Sequence, residues 1–402
     1  MSLITLDEAR ALLLSGLPAL GSERVLLDDA LGRTLAEPVI ASHTQPSEPR
    51  STMDGIAVPD PEPGVGAGWA IVGEVPAGSS GSPSLVCGEC VRIATGAVVP
   101  EGAVRVIPQE IVDFSDGRAR LAAPVGDTCF IRGAGADFAA GDRLLEAGTR
   151  LAPGAIGLLA SANRASIEAV LEPRVAICTS GDELVVPGSA LGAGQSVDSA
   201  SHALAALLRR WGCKPDVRPI LPDDLEATIS ELGGILPSYD LLLCIGGASV
   251  GKRDLMRPAA AAIGGRLLFE RIAVQPGKPC WHARTEASGL ILGLPGNPSS
   301  AFVCAHLLLL PLVDRLMNRA PTVAMRPARS ACALPPNGER EQYLRAGASY
   351  DPEGRLLALA LADQDSGLQA ALARAQLLIR RLPRAIALAA GETVEVLELS
   401  CA

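Results

Sequence analysis

Within the stretch from Tyr239 to Asp254, YDLLLCIGGASVGKRD, a hydroxyl (Ser249), a cation (Lys252) and a carboxylate (Asp254) follow a glycine pair at close spacing. That combination suits an anionic ligand. Gly246 and Gly247 can take backbone angles closed to other residues and bring main-chain amides near phosphate oxygens. A Gly-Gly pair after an apolar run also reads as an ordinary turn, so the neighbouring loops decide the matter. Three of them carry related chemistry: TSGDEL (Thr179 to Leu184) with Glu183, QPGKPC (Gln275 to Cys280) with Lys278, and LPGNP (Leu294 to Pro298), where Pro295 and Pro298 frame a Gly-Asn turn.

Each loop follows a short run of strand character: Arg174 to Cys178, Asp240 to Ile245, Leu267 to Val274 and Leu290 to Leu294. Another strand is expected from Asp216 to Leu221. Helical spacing recurs between them, over Asp198 to Trp211, from the paired acids Asp223 and Asp224 through Leu232, and over Leu255 to Ile263. Ser299 and Ser300 are expected to cap a long apolar helix ending at Leu316. This alternation over residues 172–320 predicts a mainly parallel α/β sheet, which binds ligands beyond the carboxyl ends of its strands. Four glycine-bearing loops in register with strand ends therefore predict a ligand crevice.

The flanking regions read differently. Thr5 and Glu8 form a capping-box pattern opening a helix to Leu14, and a second short helix is expected from Asp28 to Ala36. From Pro38 to about Gly126 the chain turns to extended segments broken by Pro, Gly and Ser. Inside it lie RSTMDGIA (Arg50 to Ala57) and RIATGAVVP (Arg92 to Pro100), where Asp54-Gly55 and Thr95-Gly96 read on their own as turns. Asp137 is an isolated acid in a glycine-alanine loop. A helical pattern follows Ala152, and beyond Pro321 alternating stretches such as QYLRAGASY predict a small β domain.

Bulk composition narrows the class. A chain of 402 residues with 48% hydrophobic content supports several globular domains. Aromatics at 3% and a net charge of −9 argue against a nucleic-acid partner, which would call for stacking rings and clustered Lys and Arg. The polar, acidic N-terminus MSLITLDEAR is unlike a signal peptide, and no run reaches transmembrane length, so no membrane partner and a cytoplasmic location are expected. Ten scattered Cys suit reduced thiols, and the lone CxxC, Cys87 and Cys90, has no second pair near it to complete a zinc site.

Together, SGDELVVPG, IGGASVG, QPGKP and GLPGNPSSA, preceded in order by STMDGIAV, RIATGAVVPEGA and VIPQE, resemble the molybdopterin molybdenumtransferases, or molybdenum insertases, whose animal relative is the gephyrin E domain. The resemblance covers nearly the whole chain. It implies a multidomain α/β plus β protein: a helical linking domain (1–40 and 130–170), a β insertion domain (41–129), an α/β molybdopterin-binding domain (171–321) and a C-terminal β domain (322–402). It implies a homodimer with a shared active site that takes molybdopterin adenylylated by an upstream adenylyltransferase, binds molybdate, and hydrolyses the adenylyl phosphoanhydride with Mg²⁺, releasing AMP and molybdenum cofactor. Carried over to matching positions, Asp54, Asp137, Asp223 and Asp254 are the catalytic carboxylates, and Asp223, Asp254 and Glu183 the metal-handling ones. The substrate-binding set is Thr95, Glu183, Gly246, Gly247, Ser249, Arg271, Lys278, Pro295, Pro298, Arg340, Arg345 and Ser366.

Several positions depart from the family pattern. Gln275 stands where a lysine is usual, Arg271 where lysine is common, Ile245 where a hydroxyl often precedes the glycine pair, Ala200 where asparagine follows VDS, and Ile56 where an aromatic follows MDG. The carboxylate set stays whole while its polar surround thins. An alternative reading follows from this: a non-catalytic or specialised paralogue that binds or delivers the pterin.

Overall fold

The computed structural model describes residues 3–79, 81, 83–246, 255–286, 289–321 and 324–399. At its centre is a six-stranded sheet in the order Lys214–Val217, Arg174–Thr179, Leu241–Ile245, Leu290–Leu294, Trp281–Arg284 and Arg266–Phe269. The first three pairings are parallel and the last two antiparallel, so the parallel half is the one that carries the expected strand-loop-helix repeats. Leu241–Ile245 and Leu290–Leu294 are buried at every position. Burial on both faces explains why these strands read as continuous apolar runs rather than as alternation. Leu241, Leu243 and Leu292 feed the core on one face, while Ala176, Leu242 and Ile291 feed the other.

The capping box is present: Glu8 N donates to Thr5 Oγ1, and Thr5 N donates to the Glu8 carboxylate. Helix Leu6–Leu14, however, does not join the linking domain. Its buried residues, Leu6, Ala9 and Leu13, share the core of the α/β sheet with Leu308 and Leu312. The reason is a single apolar face, spaced at three and four residues, that needs a large apolar surface to cover it.

The linking region is built from both ends of the first 170 residues, with Ser22–Leu26 antiparallel to Ser166–Val170. It holds less helix than expected. Asp28 to Ala36 is one tight turn, Leu27–Asp29, followed by bridges from Thr34 to Arg150 and from Leu35 to Ala169. Gly32 sits at φ +77, a conformation that breaks the helical pattern, and long-range pairing outweighs local propensity. The main helix here is Pro153–Ser161.

The β insertion is a six-stranded sheet, and the C-terminal sheet closes on itself because Glu341–Tyr350 pairs with both Leu356–Ala360 and Leu377–Arg381. Closure leaves few free edges. Pro298–Leu316 forms one long helix, with a π-type segment at Ala305–Leu309. At 19 residues it is long and apolar enough to cross a membrane, contrary to the expectation from the sequence, yet 89% of it is buried inside the protein. It is the central core helix.

Two buried imidazoles set a pH dependence. His282 Nδ1 lies 2.9 Å from Ile291 O, and Arg284 Nε donates to His282 Nε2, an arrangement that requires the neutral ring. His306 meets Trp211 edge to face and Phe302 at a tilt. Burial pushes both pKa values down to about 4. The unfolded chain takes up these protons below about pH 6.5, whereas the folded chain resists until about pH 4. Stability is therefore lost as pH falls through that window, by roughly 3 kcal/mol per imidazole across all of it and about 2 kcal/mol by pH 5. Urea midpoints at pH 7 and pH 5 check this; equal midpoints, or an unchanged slope in His306→Phe, would refute it.

Candidate active site

A cavity of about 850 Å³ opens beyond the carboxyl ends of three of the four parallel strands, a volume suited to a nucleotide-sized ligand. Thr179 and Ser180 continue the Arg174–Thr179 strand into it, Ile245 and Gly246 close the Leu241–Ile245 strand, and Pro295 and Pro298 follow the Leu290–Leu294 strand. Glu183, Arg271 and Lys278 also line it. The structure thus brings Glu183, Gly246, Arg271, Lys278, Pro295 and Pro298 together as the sequence led one to expect.

Close backbone approach shapes the walls. Gly246 has φ +84, and a Cβ on Gly296 would lie 3.2 Å from Gly246 Cα, so the two loops touch main chain to main chain. Gly277 holds the turn before Lys278 at φ +126, and a Cβ there would stand 2.2 Å from Cys304 Sγ. Only glycine fits.

The carboxylates at this end of the sheet divide into two groups. Asp223, half-buried, donates its main-chain N–H to Asp182 Oδ1 at 3.0 Å, so these two acids share a corner. Glu183 folds its carboxylate over Gly181, where a Cβ would come within 2.7 Å of Oε2. Among the described residues no group of three or more metal-ligating side chains stands together. A closed cage is thus absent there, but Mg²⁺ is commonly held by one or two carboxylates with substrate phosphates completing its shell, and the Asp182 and Asp223 corner suits that arrangement. Asp254, Gly247 and Ser249 lie outside the described residues.

Sequence reasoning missed Asp198, which lines the cavity at 5% exposure. Its Oδ2 accepts from Ser201 Oγ at 2.6 Å and Thr179 Oγ1 at 3.2 Å, and its Oδ1 from Ser201 N at 3.2 Å. The signal for it in the sequence is the VDS motif that precedes Ala200. Asp182 carries no such signal, being one of two adjacent acids in an exposed loop.

C-terminal residues close one side. Ser366 Oγ accepts from Asn297 Nδ2, Ser366 O accepts from Ser299 N, and Gln369 Nε2 donates to Ser199 Oγ at 2.8 Å. Arg340 and Ser366 line an adjoining cleft of about 270 Å³ that shares Lys278 with the main cavity. Arg345 departs from its expected role as a substrate contact. It is 1% exposed, and its guanidinium donates to Ser299 Oγ, Asp365 O and Asp363 O. Buried and engaged, it holds the 363–366 loop in place. The serines themselves do not cap the long helix either: Asn297 occupies the cap position, and Ser299 Oγ donates to Leu368 O.

Asp54, Thr95 and Asp137 stand elsewhere. Thr95 and Asp137 line a cleft of about 520 Å³ with Arg50 and Arg132, and none of its lining residues belongs to the α/β cavity. Asp54 Oδ1 accepts from Thr95 N at 2.6 Å and Thr95 Oγ1 at 2.8 Å. Those two bonds, the main-chain one foremost, hold the Asp54 carboxyl below its ordinary pKa. Asp54-Gly55 is therefore the entrance to strand Gly55–Val58 and a fixed acceptor, more than a turn.

The departures have structural settings. Ile245 pairs with Thr179 and Leu294 and is 3% exposed, so it serves both core and cavity wall. Gln275 Oε1 accepts from Arg340 Nη2 at 3.1 Å, which sets a guanidinium beside the position where the usual lysine is missing. Ile56 is fully buried in the β insertion core.

Comparison with known proteins agrees along the whole chain. Residues 4–163 match the MoeA N-terminal region (domain I and II), 176–315 a probable molybdopterin binding domain, and 327–399 the MoeA C-terminal region (domain IV). Molybdopterin molybdenumtransferase of Nostoc sp. is 33% identical, covering 80% of this chain and 76% of its own length. The protein of the same name from Haemophilus influenzae is 33% identical over 79% of this chain and 78% of its own. A crystal structure of the molybdopterin biosynthesis MoeA protein from Pyrococcus horikoshii superposes with a TM-score of 0.83 at 27% identity, covering 99% of both chains.

Packing at Gly277 yields a direct test. Gly277→Ala is expected to destabilise the protein by about 2 kcal/mol through the clash with Cys304 and the left-handed backbone. Cys304→Ala in the same chain should recover part of that loss. Thermal unfolding of the single and double variants measures it, and strictly additive losses would remove the clash as the cause.

Proposed function

We propose a reaction from one premise: this chain belongs to the molybdopterin molybdenumtransferase family, enzymes of molybdenum cofactor biosynthesis. On our reading it inserts molybdate into adenylylated molybdopterin, hydrolyses the adenylyl phosphoanhydride, and releases molybdenum cofactor and AMP. The observation that carries this is the convergence of Lys278, Arg271, Glu183 and the Gly246 backbone around one cavity at the parallel strand ends.

Each group has a task in that reaction. Lys278 and Arg271 hold pyrophosphate oxygens through charge-assisted hydrogen bonds, stronger than neutral ones and aimed at charge that grows as the anhydride breaks. Main-chain amides at the Gly246 turn add dipoles without adding bulk. One water is consumed: its oxygen joins one phosphorus, and the bridging oxygen leaves on the other as a monoester. Asp223 is the carboxylate suited to take the proton of that water. Glu183, Asp223 and Asp254 would hold Mg²⁺, which when bound neutralises charge on the phosphate oxygens. Arg340 and Ser366, at the cleft that shares Lys278, suit a small tetrahedral oxyanion such as molybdate.

The same reading makes the working unit a homodimer in the cytoplasm, supplied by an upstream adenylyltransferase. Support for a shared site comes from the division of polar groups: Thr95, which donates to Asp54, and Asp137 line a cleft that has no lining in common with the α/β cavity, and a second subunit is a means of uniting them.

AMP release from adenylylated molybdopterin is expected to require both molybdate and a divalent cation, and to fall about 100-fold or more in Asp223→Ala or Asp254→Ala. Mixing Asp223→Ala with Asp54→Ala chains should restore activity if the site is shared, because one of the two sites in a mixed dimer is then intact. Wild-type protein that binds the pterin tightly yet never releases AMP would favour the non-catalytic paralogue.

A further inference from the structure

We propose that Asp198 reads the exocyclic 2-amino group of the pterin ring and so sets the specificity of the cavity for a pterin over other pteridines. This rests on the reading that the cavity takes a pterin substrate.

Asp198 is a carboxylate held almost out of water, 5% exposed, in the wall of the 850 Å³ cavity. Every donor recorded to it among the described residues is neutral: the hydroxyls of Ser201 and Thr179, and Ser201 N. A contact with the first turn of the Ala200–Arg210 helix, from the residue before its N-cap Ser199, accounts for Oδ1 accepting from Ser201 N. It does not account for the second oxygen, on which both hydroxyls converge. An ionised carboxylate offers about four acceptor positions, and three are filled. A buried charge with an open acceptor position is costly unless a further donor completes it. The open position is on Oδ1, which accepts only from Ser201 N among the described residues, and Asp198 lines the cavity that a ligand would enter.

What remains of the wall points the same way. Thr179 and Ser201 are 1% and 0% exposed, so the carboxylate is fixed from behind by groups that solvent does not reach. Among the described residues no aromatic side chain lines the cavity. A flat heterocycle therefore finds no ring to stack on, and its recognition depends on hydrogen bonds to its edge. Lys278 and Arg271 serve anionic groups and cannot accept from an amine. Of the two lining carboxylates among the described residues, Glu183 is exposed and folded over Gly181, whereas Asp198 is buried and rigidly held. A site built to hydrogen-bond an N–H group rejects an analogue that offers a carbonyl there, because two acceptors then face each other with water excluded.

Fluorescence-quenching titrations of the full chain with 6-hydroxymethylpterin and with 6-hydroxymethyllumazine, which carries a carbonyl in place of the 2-amino group, test this. Wild type should prefer the pterin by at least about 50-fold. Asp198→Asn, which keeps the volume and removes the charge, should weaken pterin binding about tenfold or more and erase most of the preference, while AMP binding and the unfolding midpoint stay near wild type. Glu183→Gln should retain the preference. Equal wild-type affinity for the two rings overturns the assignment even if Asp198→Asn does not fold, as does a preference that survives Asp198→Asn or disappears in Glu183→Gln. Wild type that binds neither ring nor AMP would instead overturn the substrate reading beneath it.

Discussion

The backbone from Ile272 to Cys280 is hydrogen-bonded into three parts of the molecule at once, and the site depends on that. Ala273 N donates to Ile4 O, joining the N-terminal segment. Val274–Gln275 pairs in parallel with Glu341–Gln342 of the C-terminal sheet. Ile272 N donates to Lys278 O, folding the stretch back on itself, and Gly277 rests on Cys304 of the central helix. Each such bond contributes only about 1 kcal/mol net. Their joint effect is positional: Lys278 is carried on a loop whose backbone has no freedom to drift, which is what a charged group aimed at a phosphate needs.

Much of this was legible in the residue order, and what was not has a common cause. Continuous apolar runs such as Leu241 to Ile245, each ending at a glycine loop, announce strands covered on both faces, as in a parallel sheet flanked by helices. The Thr5 and Glu8 capping box is local chemistry and appears where the pattern puts it. By contrast, Asp28 to Ala36 has helical spacing but gives its backbone to Arg150 and Ala169, far along the chain. Asp54 looks like half of a turn until Thr95, brought from another strand, supplies two donors. Arg345, which the resemblance makes a substrate contact, is buried and acts as an internal strut. In each case the deciding partner is distant in sequence, and no local pattern encodes it.

The departures from the family pattern become less disruptive once placed. Ile245 keeps a strand end dry and gives the cavity an apolar wall. Gln275 exchanges a cation for an acceptor, but that acceptor holds the Arg340 guanidinium beside it, so positive charge is relocated rather than lost. Ala200, where asparagine is usual, is 5% exposed beside Asp198, so the polar work at that corner falls on the carboxylate and its two hydroxyls.

The largest core contains Leu6 and Leu13 near the beginning of the chain and Leu397 and Leu399 near its end, with the Pro298–Leu316 helix between them. Chains fold as they emerge from the ribosome, and domains completed early can close early. The β insertion is such a unit, since its sheet and core use only residues from the first third of the sequence. The α/β unit is different: its apolar helix is synthesised before the last strands that help to cover it. During translation the molecule therefore carries a membrane-length greasy helix with part of its cover still unmade until the C-terminal strands follow it.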